Sequence, residues 1–117
     1  MNNRGENIRR RAYDFALGVV KHTRKFPRNT EGFIVTSQLI RSATSIPANI
    51  YEGSGGVSRK EFIQFISVAK KSAIETNFWI HFSFDLGFLT NEEHETLSQE
   101  CLEIVKIVSR IILNARK

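Results

Sequence analysis

The side chains able to do chemistry in this chain are three histidines (His22, His81 and His94), the single cysteine Cys101, and a set of carboxylates and cations. Catalysis and metal binding both need such groups at fixed spacing, because ligands, or an acid and its base, must converge on one point. The histidines are scattered, and no His-x-x-x-His or Glu-x-x-His pair occurs that would put two ligands on one helix face. Cys101 falls on an apolar helical stripe, where a buried thiol behaves as a small hydrophobe. No serine lies in a Gly-x-Ser-x-Gly elbow. Glu92, Glu93 and Glu95 crowd a helix start, which suits the helix dipole better than an acid–base pair. Gly53-Ser54-Gly55-Gly56, followed by Ser58-Arg59-Lys60, offers amide donors and two cations to a phosphate. The P-loop spacing is absent, and a turn between two helices accounts for the segment more simply. The sequence predicts no catalytic residue, no metal ligand and no cofactor.

The cations carry the clearer signal. The net charge is +5, yet residues 1–30 hold eight Lys/Arg against two carboxylates, and the rest of the chain is close to neutral. Arg10, Lys21, Arg24 and Arg28 fall broadly on one side of the first helical segment, with Arg9, Arg11 and Lys25 flanking them. Phosphates attract such clusters through counterion release, without sequence readout. These seven residues are the candidate contacts to RNA or DNA, against the competing reading of a charged face that only keeps the protein in solution.

Those residues must be positioned by helices. At 117 residues, 41% hydrophobic and 25% charged, the chain fits one folded domain spanning residues 1–117. One cysteine excludes an internal disulfide. The first residues lack the apolar core of a secretion signal, and no apolar run is long enough to span a bilayer, so a soluble cytoplasmic protein is expected. Four segments show helical periodicity, at about residues 6–26, 31–52, 58–86 and 91–115. Pro27 should stop the first, Pro47 should kink the second, and Gly53 should cap the second. Ser58-x-x-Glu61 and Thr90-x-x-Glu93 are capping boxes for the third and fourth. Ile8, Ala12, Phe15, Val19, His22 and Phe26 form the stripe of the first helix, and Leu97, Cys101, Ile104, Val108, Ile111 and Ala115 that of the fourth. Short connections make neighbours antiparallel, giving an all-α, antiparallel up-and-down four-helix bundle.

Two features exceed what a lone bundle needs. The third segment carries Ile63, Ile66, Ile74, Phe78, Trp79 and Phe82 beside its core stripe of Phe62, Phe65, Ala69, Ala73, Thr76 and Ile80, and the fourth adds Leu102, Val105 and Ile112. Helices apolar over that much of their circumference point to self-association. The second segment places Gln38, Arg41, Ser45, Asn49 and Glu52 along one side, with Glu75 of the third as a candidate partner for Arg41. This polar line is either a solvated face or a seam that fixes helix register.

The segment Gln38-Leu39-Ile40-Arg41-Ser42-Ala43-Thr44-Ser45-Ile46-Pro47-Ala48-Asn49-Ile50-Tyr51-Glu52-Gly53 closely resembles the hallmark of the four-helix-bundle family of 23S ribosomal RNA intervening-sequence proteins, to which the accessory variability protein of diversity-generating retroelements is related. The helix from Arg11 to Phe26 before Pro27, the set Ser58, Glu61-Phe62, Phe65, Val68-Ala69, Ser72 and Glu75, and the turn Leu86-Gly87-Phe88-Leu89 extend the resemblance over about residues 10–112. It departs at Ile40, Tyr51 and Lys71, where arginine, alanine and glycine are common. The resemblance implies a homopentameric, basic, barrel-like ring. In the retroelement branch it implies a surface for nucleic acid and for a reverse transcriptase. A protein-interaction adaptor ring without nucleic-acid affinity is the alternative.

Overall fold

The computed structural model describes residues 4–56 and 58–117, with side chains from Asn7 onward. Met1-Asn2-Asn3 and the side chains of Arg4 and Glu6, part of the charge count above, lie outside the described residues. Four helices follow one another: α1 (Arg4–Thr23), α2 (Thr30–Ser54), α3 (Arg59–Asp85) and α4 (Asn91–Ala115). Each packs against its neighbours in the chain, and α4 closes against α1, in a body of 45 × 24 × 22 Å. This is the expected four-helix bundle, and no strand occurs among the described residues.

Local chemistry sets the helix ends. α1 stops at Thr23, a turn earlier than expected, because the backbone tightens ahead of Pro27: Arg24 N–H donates to Lys21 O and Phe26 N–H to Thr23 O. Phe26 is still buried, its ring centroid 5.2 Å from that of Phe88. α2 starts where the Asn29 side chain accepts the Gly32 amide at 2.8 Å. Pro47 sits inside α2 without ending it, and α2 continues through Gly53 to Ser54. Gly53 is therefore not the cap: it is buried, and a Cβ there would lie 2.9 Å from the Phe65 Cβ. Its role is to let α2 and α3 approach. Gly55 caps instead, its amide donating to Glu52 O.

Ser58 accepts the Glu61 amide at the start of α3. Its other end closes as a Schellman motif, with Phe88 N–H donating to Ser83 O, Gly87 N–H to Phe84 O, and Gly87 at φ +83°. Thr90 and Glu93 complete the expected capping box of α4, at 3.1 and 2.9 Å.

The core is the sum of the inward stripes: Ile8, Ala12, Phe15 and Val19; Val35, Leu39, Ala43, Ile46 and Ile50; Ile66, Ala69, Ala73 and Ile80; Leu97, Cys101, Ile104 and Val108. Near the end of α4 the buried position passes from the expected Ile111 to Ile112, since a 3.6-residue turn drifts against a repeat of three and four. On α3 the surplus apolar residues divide. Ile66 is buried, Trp79 and Ile63 are half-buried, and Ile74, Phe78 and Phe82 are exposed.

Candidate nucleic-acid interface

The seven candidate cations do not form one patch. Arg9, Arg10 and Arg11 lie in the first half of α1, whereas Lys21, Arg24, Lys25 and Arg28 gather at its far end and in the loop to α2. Three of them are engaged by carboxylates. Arg11 makes a two-pronged contact to Glu100 of α4, from Nε at 2.7 Å and Nη2 at 2.9 Å, which raises its already high pKa. Lys25 bonds Glu93, and Arg10 stands 3.4 Å from Asp14 one turn along α1. The Arg9 guanidinium lies 6.0 Å from the centre of the Tyr51 ring. Lys21, Arg24 and Arg28 are exposed, and none has an ion pair among the described residues. Of the seven candidates, the exposed cations without an ion pair are thus Lys21, Arg24 and Arg28 at the α1–α2 end of the bundle, an end they share with exposed Glu31, Asp85, Glu92 and Glu95.

Glu93 organises the neighbouring corner. Its carboxylate takes Lys25 and the Thr90 amide, and these bonds hold its pKa below the usual carboxylate value. His22 Nε2 lies 3.9 Å from the same carboxylate, while its Nδ1 donates to Gly18 O. The result ties the end of α1 to the start of α4.

The polar line of α2 faces α3. Arg41 bonds Gln38, at 3.1 Å from Nε and 2.8 Å from Nη2, and reaches Glu75, whose other contact is Trp79 Nε1 at 3.1 Å. Ser45 and Ser72 share a hydroxyl bond of 2.8 Å, and Asn49 Nδ2 donates to Ser45 Oγ at 3.0 Å. Thr76 Oγ1 donates to Ser42 Oγ at 2.9 Å in the fully buried layer beneath. Ser42, Ser72 and Thr76 were not among the expected seam residues. Their small size at helix-contact spacing beside Ala43, Ala69 and Ala73 was the available signal. Glu52 is exposed and makes no such bond.

Chemistry-bearing residues are mostly otherwise occupied. Cys101 is fully buried, donates to Ala73 O at 3.1 Å, and has its pKa pushed up to about 12 by desolvation. Gly55 and Gly56 spend their amides on the α2 carbonyls of Glu52 and Gly53, leaving neither for a phosphate. No set of three or more His, Cys, Asp or Glu side chains converges among the described residues. The histidines expected to be scattered are not all so: His81 and His94 meet across the α3–α4 turn, with Nδ1 and Nε2 2.6 Å apart. No described helix is long and apolar enough to cross a membrane.

The comparisons with known proteins bear on this geometry. No curated protein matches the chain. The fold is similar to the crystal structure of a protein of unknown function from the S23 ribosomal protein family of Bacteroides thetaiotaomicron VPI-5482, with a TM-score of 0.88 and 29% identity, covering 94% of this chain and 98% of the other. The sequence profile of the 23S rRNA-intervening sequence proteins matches residues 6–110, across all four helices and both the polar seam and the cationic end. This chain therefore belongs to the 23S rRNA-intervening sequence protein family.

Proposed function

We propose that this protein is a non-enzymatic, self-associating helical bundle that docks on the phosphate backbone of RNA or DNA as an accessory or scaffold. The observation that carries the reading is the α1–α2 end, where Lys21, Arg24 and Arg28 are exposed and unpaired while Arg11 and Lys25 are spent on intramolecular bonds. Unpaired cations release phosphate counterions at no cost in broken ion pairs. One copy offers few such contacts, so affinity depends on repeating the end in an assembly, for which the homopentamer of the resembling ring proteins is the expected form. Exposed Ile74, Phe78 and Phe82 on α3 supply apolar surface for it.

Fluorescence anisotropy with labelled structured RNA and duplex DNA, at about 50 and 200 mM salt, tests the reading. Affinity should fall steeply with salt. Replacing Lys21, Arg24 and Arg28 with glutamine should weaken binding far more than replacing Arg10 and Arg11. Absence of binding at the lower salt rejects it.

The second reading is an adaptor that holds a protein partner. The tight cluster of Phe78, Trp79 and Phe82, with ring centroids 4.8 to 5.8 Å apart, favours it as a rigid apolar contact. It predicts protein binding that tolerates salt, and no affinity for nucleic acid.

A further inference from the structure

We propose that His81 and His94 form a two-imidazole site for a divalent transition-metal ion of the copper, nickel and zinc class, clipping α3 to α4 beside their connecting turn. His81 sits one turn before the end of α3 and His94 in the first turn of α4. The Gly87 reversal between them folds one ring onto the other. His81 Nδ1 and His94 Nε2 face each other at 2.6 Å, with ring centroids 4.7 Å apart and planes at 65°. Phe84 stacks on His94 at 4.2 Å and 8°, which fixes the plane of that imidazole. His94 is half-buried and His81 exposed, so one ligand is held and the other can adjust.

Two neutral imidazoles in this contact share one proton, one ring donating and the other accepting. A metal ion needs a lone pair from each. In either arrangement the bridging proton passes through solvent to the second nitrogen of its own ring, and both facing nitrogens are then free to ligate with both rings neutral. Imidazole nitrogens bind zinc at about 2.0–2.1 Å, so two on one ion stand roughly 3 Å apart. Because Phe84 holds His94, exposed His81 makes the adjustment: its ring rotates and shifts by on the order of 1–2 Å, so that Nδ1 turns from His94 Nε2 onto an ion seated in front of that nitrogen. No third side chain joins them among the described residues, so water completes the coordination and the site is open. Imidazole donors in such a site favour copper over nickel and zinc. His22, the third histidine, bonds Gly18 O and is not part of the pair.

The test uses the full, tag-free chain titrated with copper(II), nickel(II) or zinc(II) chloride by calorimetry, and melted with and without each metal. One ion per chain should bind, with copper tightest, and the thermal midpoint should rise by several degrees because the ion binds only the folded pair. The copper(II) electron paramagnetic resonance spectrum should carry coupling to imidazole nitrogen. His81→Gln should weaken binding at least tenfold and abolish the thermal rise. Its exposed position leaves the fold intact, which circular dichroism checks. His94→Gln should do the same, and His22→Gln should leave both readouts unchanged. The proposal is overturned if the wild-type protein shows no binding, or if the His81→Gln protein binds as well as it does.

Discussion

A methyl group added at Gly53 would stand 2.9 Å from the Phe65 Cβ, a distance that neither atom can avoid by rotating a side chain. Gly53→Ala should therefore push α2 from α3 and destabilise the fold by about 1–3 kcal/mol, the range for overpacked cores, even though alanine is the better helix former. Urea unfolding followed by circular dichroism measures it, and a stability equal to wild type would mean the helices can part without loss. Gly32 is under a harder constraint, since its added Cβ would fall 1.9 Å from the Pro27 carbonyl oxygen. Neither requirement was legible in the sequence. A glycine near the end of a periodic segment reads as a cap, and only the packing of α3 shows that Gly53 is an approach point one residue inside the helix end. Cys101 was legible, because its place on the α4 stripe forces burial whatever the neighbours are.

At the scale of the helix, signals local in the chain are legible in the sequence and contacts between helices are not. Ser58, Thr90 and Glu93 cap where their spacing says they should, because a cap is closed by residues three apart in the chain. The His81–His94 contact depends on how α3 and α4 meet across Leu86 to Leu89, and no periodicity within either helix encodes that. The division of the seven cations has the same origin: Glu93 and Glu100 are remote in sequence, and only the docking of α4 against α1 brings them to Lys25 and Arg11. Glu93 gives this docking a pH dependence. Lys25 and the Thr90 amide lower its pKa from the ordinary 4.5, so the folded chain binds fewer protons than the unfolded one as the medium acidifies. The stabilisation is complete above the unfolded value and is lost as pH falls through the folded one. Glu93→Gln should be less stable than wild type at neutral pH, and the gap should shrink below the ordinary glutamate value. Denaturant midpoints across that range measure it, and a gap independent of pH would mean that the charge of Glu93 contributes nothing to the docking.

For the whole molecule, the fold leaves two kinds of surface without an internal partner, and they face different needs. Lys21, Arg24 and Arg28 give one copy few phosphate contacts, and Phe78 and Phe82, exposed at 54% and 41%, stack on one another as an apolar patch on α3. The proposed self-association through α3 would answer both, since burying each aromatic would contribute about 1.5–3 kcal/mol while multiplying the phosphate contacts of each particle. Replacing Phe78 and Phe82 together with glutamate removes that burial and sets like charges against each other at any contact between copies. The core stays as it was, because neither side chain belongs to it, so helicity and the unfolding midpoint of the single chain should hold. Light scattering after size exclusion should then show the mass falling to the 13.4 kDa of one chain. RNA affinity should fall with it, and its salt dependence should flatten, because fewer cations act on each bound particle. A mass that stays at several chains in the double variant would move the contact to another face. A wild-type mass of one chain would remove the assembly on which the proposed RNA binding depends.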